Sequence, residues 1–168
     1  MPQLSFFRGF NQMSHAQKVD HANMASPSTL HLKKLCVGAY DVGDLESWQE
    51  GGCAQLARQL GYDTPFHRTR RMPKRSDEIL KGGSLFWVIK RRLCVRQKII
   101  EFRKVDVEGQ TYCDILFDPK LVLVEPKHAR PFQGWRYLEH KDAPRDLHGA
   151  SADAPASLLA ELEQLGLL

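Results

Sequence analysis

The chain has 168 residues, 42% of them hydrophobic and 26% charged, with 12 glycines and 9 prolines. That suits a single domain with one core and excludes a collagen-like or wholly disordered chain. The net charge of +4 hides a split: residues 66–136 hold 17 Lys/Arg against 8 Asp/Glu, while the remainder holds 7 against 12.

Residues 1–28 show neither helical nor strand period and end in Ser26-Pro27-Ser28, which reads as a disordered tail. Met24 stands as an alternative to Met1 for the true start. The segment Met1 to Phe10 lacks the roughly 7–15 apolar residues of a signal-peptide core, and no run reaches the roughly 18–20 needed to cross a bilayer. The expected location is the cytoplasm.

Leu30 to Ala39 alternates as a strand, with Leu30, Leu32, Lys34, Cys36 and Gly38 on one face and His31, Lys33, Leu35 and Val37 on the other. Asp41 or Asp44 can cap a following helix, because a short side-chain acceptor satisfies its free amides. Leu45, Trp48, Cys53, Leu56 and Leu60 then recur at helical spacing, and Gly61 is placed to end the helix. Gly51-Gly52 costs about 1 kcal/mol per residue relative to alanine and predicts a bend or split. Phe66 to Arg71 reads as a short strand stopped by Pro73. Ser76 to Leu80 reads as a short helix closed by Gly82-Gly83.

Ser84 to Arg91 and Leu93 to Lys104 are rich in β-branched and aromatic residues, as strands are. Adjacent Gln97-Lys98 and the doubled Ile99-Ile100 break the alternation of the second run and predict a bulge or a strand that bends between two faces. Glu108-Gly109 supplies a turn, Thr111 to Phe117 returns, and Asp118-Pro119 turns again before Leu121 to Val124. Pro126 to Pro131 reads as a basic, proline-bounded loop, followed by Phe132 to Leu138.

Residues 139–155 have linker composition, and Leu158, Leu159, Leu162 and Leu165 form one helical stripe. That stripe docks on its own domain or binds a protein partner. The expected organisation is a tail over 1–28, one domain over 29–147, and a linker with an amphipathic helix over 148–168. The expected fold is α+β: a small, strongly bent mixed or antiparallel β-barrel with flanking helices.

Cys36, Cys53, Cys94 and Cys113 lie 17, 41 and 19 positions apart and sit among apolar neighbours. They read as buried reduced thiols. A zinc site of Cys36 with His31 matches no usual ligand spacing, so no metal and no cofactor is expected.

The basic excess is the strongest functional signal. A cluster of one sign raises self-repulsion, and a field aimed at an anionic partner explains it better than folding does. RNA or a nucleotide leads the candidates. Three segments carry the charge. The first holds Arg68, Arg70, Arg71, Lys74 and Arg75, whose guanidinium forks suit phosphate. The second holds Lys90, Arg91, Arg92, Arg96 and Gln97. The third holds Lys127, His128, Arg130, Gln133, Trp135, Arg136 and Tyr137. Trp135 or Tyr137 can stack a base, and Gln97 or Gln133 can read a base edge. The plainer readings are a solvated basic surface, a core role for Trp87 between Phe86 and Val88, and a split between core and surface for Trp135.

Catalytic motifs are poor: G-x-S-x-G, P-loop, H-E-x-x-H and G-x-G-x-x-G are all missing. Lys90 with Glu101 would serve an amide hydrolase only if the two met across strands; a cross-strand salt bridge explains them equally well.

The runs LHLKKLCVG (Leu30 to Gly38), HRTRRMPKR (His67 to Arg75), GGSLFWVIK (Gly82 to Lys90), CVRQKI (Cys94 to Ile99) and FQGWRYL (Phe132 to Leu138) resemble a bacterial family of uncharacterised proteins, domain of unknown function 1489. The resemblance spans roughly residues 29–147, leaves the N-terminal tail and the C-terminal leucine helix outside, and brings no activity with it. The element order is also similar to the PUA-like folds (PUA, ASCH and EVE), which implies a small barrel that binds RNA or modified bases. One ASCH-like branch implies an amide hydrolase acting on a modified nucleoside.

Overall fold

The computed structural model describes residues 29–147. Seven strands form one mixed sheet: β1 (Leu30–Leu35), β2 (Phe66–Thr69), β3 (Ser84–Ile89), β4 (Arg92–Val107), β5 (Gln110–Phe117), β6 (Val122–His128) and β7 (Trp135–Glu139). Their order is β2-β5-β4-β3-β1-β7, with β6 also on β4. β1 and β3 run parallel, and the other pairs are antiparallel. The class is α+β. Among the described residues no backbone ladder joins β2 to β7, so the sheet is not closed into a barrel.

The sheet nevertheless curls. β2 lies three strand positions from β3, roughly 14 Å away if flat, yet the rings of His67 and Trp87 meet at 5.9 Å. The bend is written into β4. Its register shifts between Ile99 and Glu101; Ile99 is buried while Ile100 stands 48% exposed. The doubled isoleucine is therefore a bulge, with a second shift at Cys94, and together they let one strand of 16 residues serve both halves of the sheet.

Among the described residues two α-helical segments accompany the sheet, besides a 3-10 turn at His140–Asp142. α1 (Val42–Trp48) starts at Asp41, whose Oδ1 accepts from the Asp44 amide at 2.8 Å. It passes through a π-helical turn, Gln49–Cys53, into α2 (Ala54–Gln59). Gly51-Gly52 falls inside that turn, where two weak helix formers yield to a widened hydrogen-bond ring. Gly61, at φ +73°, ends the run. The second segment, α3 (Ser76–Ile79), is a single turn.

The widened turn leaves Gln49 buried, where it exchanges two hydrogen bonds with Gln97 at 2.8 and 2.9 Å. Gln97 also accepts from the Trp87 indole at 2.8 Å and donates to the Asp118 carbonyl at 2.9 Å. This network bolts the helical run to the main core, which gathers Leu30, Leu32, Leu45, Leu85, Trp87, Val95 and Phe117.

One local expectation is corrected. Pro126, Lys127 and His128 belong to β6, not to a loop. β6 lies off the main sheet path and pairs with β4 on one side, and an edge position tolerates a proline that cannot donate. The predicted helix over 157–168 and the tail over 1–28 lie outside the described residues.

Candidate nucleic-acid interface

Strand alternation sorts the basic segments onto two faces. Across the sheet, Lys34 pairs with both Trp87 and Trp135, and Leu32 with Leu85 and Tyr137. These rows share the face covered by the helical run. Lys33 pairs with Phe86 and Arg136, and Phe86 with Arg96. That row shares the opposite face. Arg136 and Arg96 are thus separated by the sheet from Trp135 and Tyr137, which corrects the expectation of one groove holding all four. A period of two makes this unavoidable for neighbours such as Trp135 and Arg136.

Topology gathers much of the remaining charge at one end of the sheet. The C-terminal ends of β1 and β3 and the N-terminal ends of β4 and β7 all lie there, because β1 and β3 are parallel and their partners antiparallel. β6 delivers its own C-terminal end to the same place, pairing His128 with Arg92. The tight turn Lys90-Arg91, with φ of 45° and 64°, presents two exposed cations beside them. Positive φ is uncommon for residues with a Cβ. The 129–134 loop, carrying Arg130 and Gln133, completes this end, and the Ala129 amide donates to the Arg91 carbonyl at 2.8 Å.

The arginine-rich stretch after β2 joins them through two side chains of β7. The Trp135 indole donates to the Arg71 carbonyl at 2.9 Å, and the Arg75 amide donates to the Tyr137 hydroxyl at 3.3 Å. Segments 64 residues apart are thereby held as one surface. Arg70, Arg71 and Lys74 remain exposed, with no side-chain hydrogen bond or ion pair among the described residues. Trp135 and Tyr137, meeting edge-to-face at 5.1 Å, spend their polar atoms on holding the loop. Exposed aromatics at the same end are Tyr40 (73%) and Trp48 (47%).

Several proposed contacts are already occupied. Arg68 makes a bidentate pair with Asp114, both bonds at 2.7 Å, and Tyr62 donates to the same carboxylate at 2.8 Å. Asp114 is fully buried, so Arg68 is its counter-ion and not a phosphate ligand. Arg75 is shared between Glu78 and Glu139. Arg96 forks onto Asp146 and also donates to the Ser84 hydroxyl at 3.1 Å. Gln97, with no exposed surface, cannot read a base edge. Arg136 turns back on the Gln133 and Trp135 carbonyls, its guanidinium over Phe132.

The Lys90–Glu101 pair is also corrected. Glu101 is held by Arg103 on its own strand at 2.8 Å, which lowers its pKa. It stands nine residues along β4 from Arg92, roughly 30 Å of strand. The zinc pair fares no better, because the His31 ring is taken by the Ser84 amide and His140 while Cys36 lines the cleft on the other face of the sheet. Among the described residues no group of three or more His, Cys, Asp or Glu forms a metal-binding cluster.

What the sequence reading missed is a cleft of about 330 Å³ beside the cation-rich end. Lys34, Cys36, Asp44, Trp48, His67 and Trp87 line it. It lies along the carboxyl end of β1, against Trp87 of β3. Lys34 is half-buried and makes no hydrogen bond or ion pair among the described residues; burial lowers the pKa of its ammonium. Burial likewise raises the Cys36 thiol to about 11, so it stays protonated. The available signal was Lys34 itself, a charge on a strand face otherwise made of Leu30, Leu32 and Cys36.

Two histidines, His31 buried and His67 half-buried, give a pH dependence. Ser84 donates its amide to His31 Nδ1 at 3.1 Å, so the neutral ring carries its proton on Nε2 and donates to His140 Nδ1 at 3.2 Å. Desolvation first, then neighbouring charge, lowers His31 from 6.5 to about 4. His67, facing Lys34 across the cleft, is lowered to about 4 for the same reasons. In the unfolded chain both rings bind protons from pH 6.5 downward, so their contribution is complete above 6.5 and fades as pH falls to 4. Each adds a slope of up to about 1.4 kcal/mol per pH unit in that window. Urea midpoints should fall steadily from pH 6.5 to 4.5, with a shallower fall for His31→Gln. A flat profile would contradict the two neutral rings.

Fold and site together define an α+β protein built on an open seven-stranded mixed sheet, with a cation-rich end and a cleft beside it. The chain belongs to the family described as "Protein of unknown function (DUF1489)", whose model matches residues 32–168. The match runs past residue 147, so the C-terminal segment with its leucines lies inside the family's span, which corrects the expected boundary. Comparison with curated proteins and with solved structures gave no match.

Proposed function

We propose that this protein binds single-stranded RNA or a nucleotide at the cation-rich end of its sheet. The observation that carries the reading is the Trp135–Arg71 hydrogen bond, which puts the arginine-rich loop beside the end where Lys90, Arg91, Arg92 and Arg130 lie. Arg70, Arg71, Lys74, Lys90 and Arg91 would neutralise phosphates, and Tyr40 or Trp48 would stack a base at roughly 1–3 kcal/mol each. Acids also border this end, Asp41 and Asp44 on the helical flank and Asp142 beside Lys127 and His128.

The same reading takes the fold as related to PUA-like barrels. The link from β7 to the segment after β2 joins the two outer edges of the sheet by side chains where a barrel would use a ladder. It also places the protein in the cytoplasm, with RNA. A hydrolase reading loses its named pair, Lys90 and Glu101. A protein-docking role for Leu158, Leu159, Leu162 and Leu165 rests on residues outside those described.

Ultraviolet cross-linking of a uridine decamer to the full chain tests the reading. Adducts are expected on peptides containing Tyr40, Trp48 or residues 128–135. Adducts confined to the Glu108-Gly109 turn at the far end of β4 would overturn it.

A further inference from the structure

The cleft combines features that narrow its ligand. Lys34 offers an ammonium with no partner among the described residues. Asp44 offers a carboxylate on the opposing helix; its Oδ2 accepts from the Tyr40 amide at 2.8 Å, and Oδ1 has no partner there. Trp48 is a half-exposed indole on one wall, and Trp87, edge-on to His67 at 5.9 Å, lies in the other.

A purely apolar ligand would leave Lys34 uncompensated, and a bare anion would leave the half-exposed Trp48 indole uncovered. A cation would meet Lys34 and the neighbouring arginines. The volume of about 330 Å³ is at the small end of ordinary ligand sites, roughly 300–1,000 Å³. A planar ring that carries one anionic group and hydrogen-bond donors satisfies every wall.

We propose that this cleft holds one nucleoside 5′-monophosphate unit, its base against Trp48, its phosphate on Lys34 Nζ and its amino or hydroxyl donors toward Asp44. The inference deepens the RNA-binding reading in naming a nucleotide, but it uses different residues from the outer cations. The unit can come from a free nucleotide or from the 5′ end of a strand.

Calorimetry on the full chain tests it with adenosine monophosphate, adenosine, and decamers ending in a 5′-phosphate or a 5′-hydroxyl. Adenosine monophosphate should bind, with adenosine about 10-fold weaker for want of a charge-assisted contact. Lys34→Met should bring the monophosphate down to adenosine's affinity. Trp48→Ala, at an exposed position that leaves the core intact, should weaken both. A preference for the 5′-phosphorylated decamer assigns the strand end, and equal decamer affinities with monophosphate binding assign the free nucleotide; both uphold the cleft. Failure of adenosine monophosphate to bind at millimolar concentration, or binding indifferent to both substitutions, overturns it. If the decamers still bind in that case, the outer surface stands without the cleft. If the monophosphate binds and no decamer does, the cleft stands and the RNA-binding reading falls.

Discussion

Replacing Arg70, Arg71 and Lys74 together by glutamate is expected to weaken binding of a single-stranded oligoribonucleotide about 100-fold at low salt. The three side chains are exposed, and none forms an ion pair among the described residues, so folding places no demand on their charge. The Arg71 contact to Trp135 uses the backbone carbonyl and survives the substitution. Thermal stability should therefore change little while affinity collapses. Equal affinities for variant and parent, measured by fluorescence anisotropy, would remove these cations from the interface.

Arg68→Ala should do the reverse. It strips the buried Asp114 carboxylate of its bidentate partner and leaves only the Tyr62 hydroxyl. An uncompensated buried charge costs about 3 kcal/mol, at the lower end of the usual range because Arg68 is itself 31% exposed. For a domain of this size that is roughly 10 °C in Tm. Arg68→Lys keeps the charge without the fork and should fall between. Affinity of the folded variant for RNA should stay within about threefold of the parent. A stable Arg68→Ala protein that has lost RNA affinity would return this arginine to the phosphate-binding set.

The two arginines show where sequence reading stopped. Arg68 and Arg70 are two residues apart in the same basic run, and nothing in the run tells them apart. The difference is made by Asp114, 46 positions on, which reaches Arg68 only because β2 pairs with β5 in the register Arg68↔Asp114. Gln97 was misplaced for a similar reason. A glutamine between Arg96 and Lys98 reads as surface, and only the inward-turned Gln49 of the π-helical turn supplies the partners that let it be buried.

Local signals did better. The doubled Ile99-Ile100 gave a bulge, Asp41 of the two cap candidates is the helix cap, Glu108-Gly109 gave a turn with φ of 51° and 78°, and Gly51-Gly52 gave the disturbed helix. Each depends on a few adjacent residues and elementary backbone sterics. The parallel pairing of β1 with β3 depends on none of these. It sets Lys34 beside Trp87, both of which line the cleft, a juxtaposition that composition alone could not locate. Lys34 was legible only as an anomaly, one cation on an apolar strand face.

The central claim is that cations distant in the chain act together on a polyanion at one end of the sheet. The most direct measurement is the dependence of oligoribonucleotide affinity on salt, for the parent chain and for the triple glutamate variant. With roughly four to five phosphates neutralised at about −0.7 each, the log–log slope should be near −3 for the parent and close to −1 for the variant. A parent slope near zero, or the same slope in both proteins, would contradict the claim.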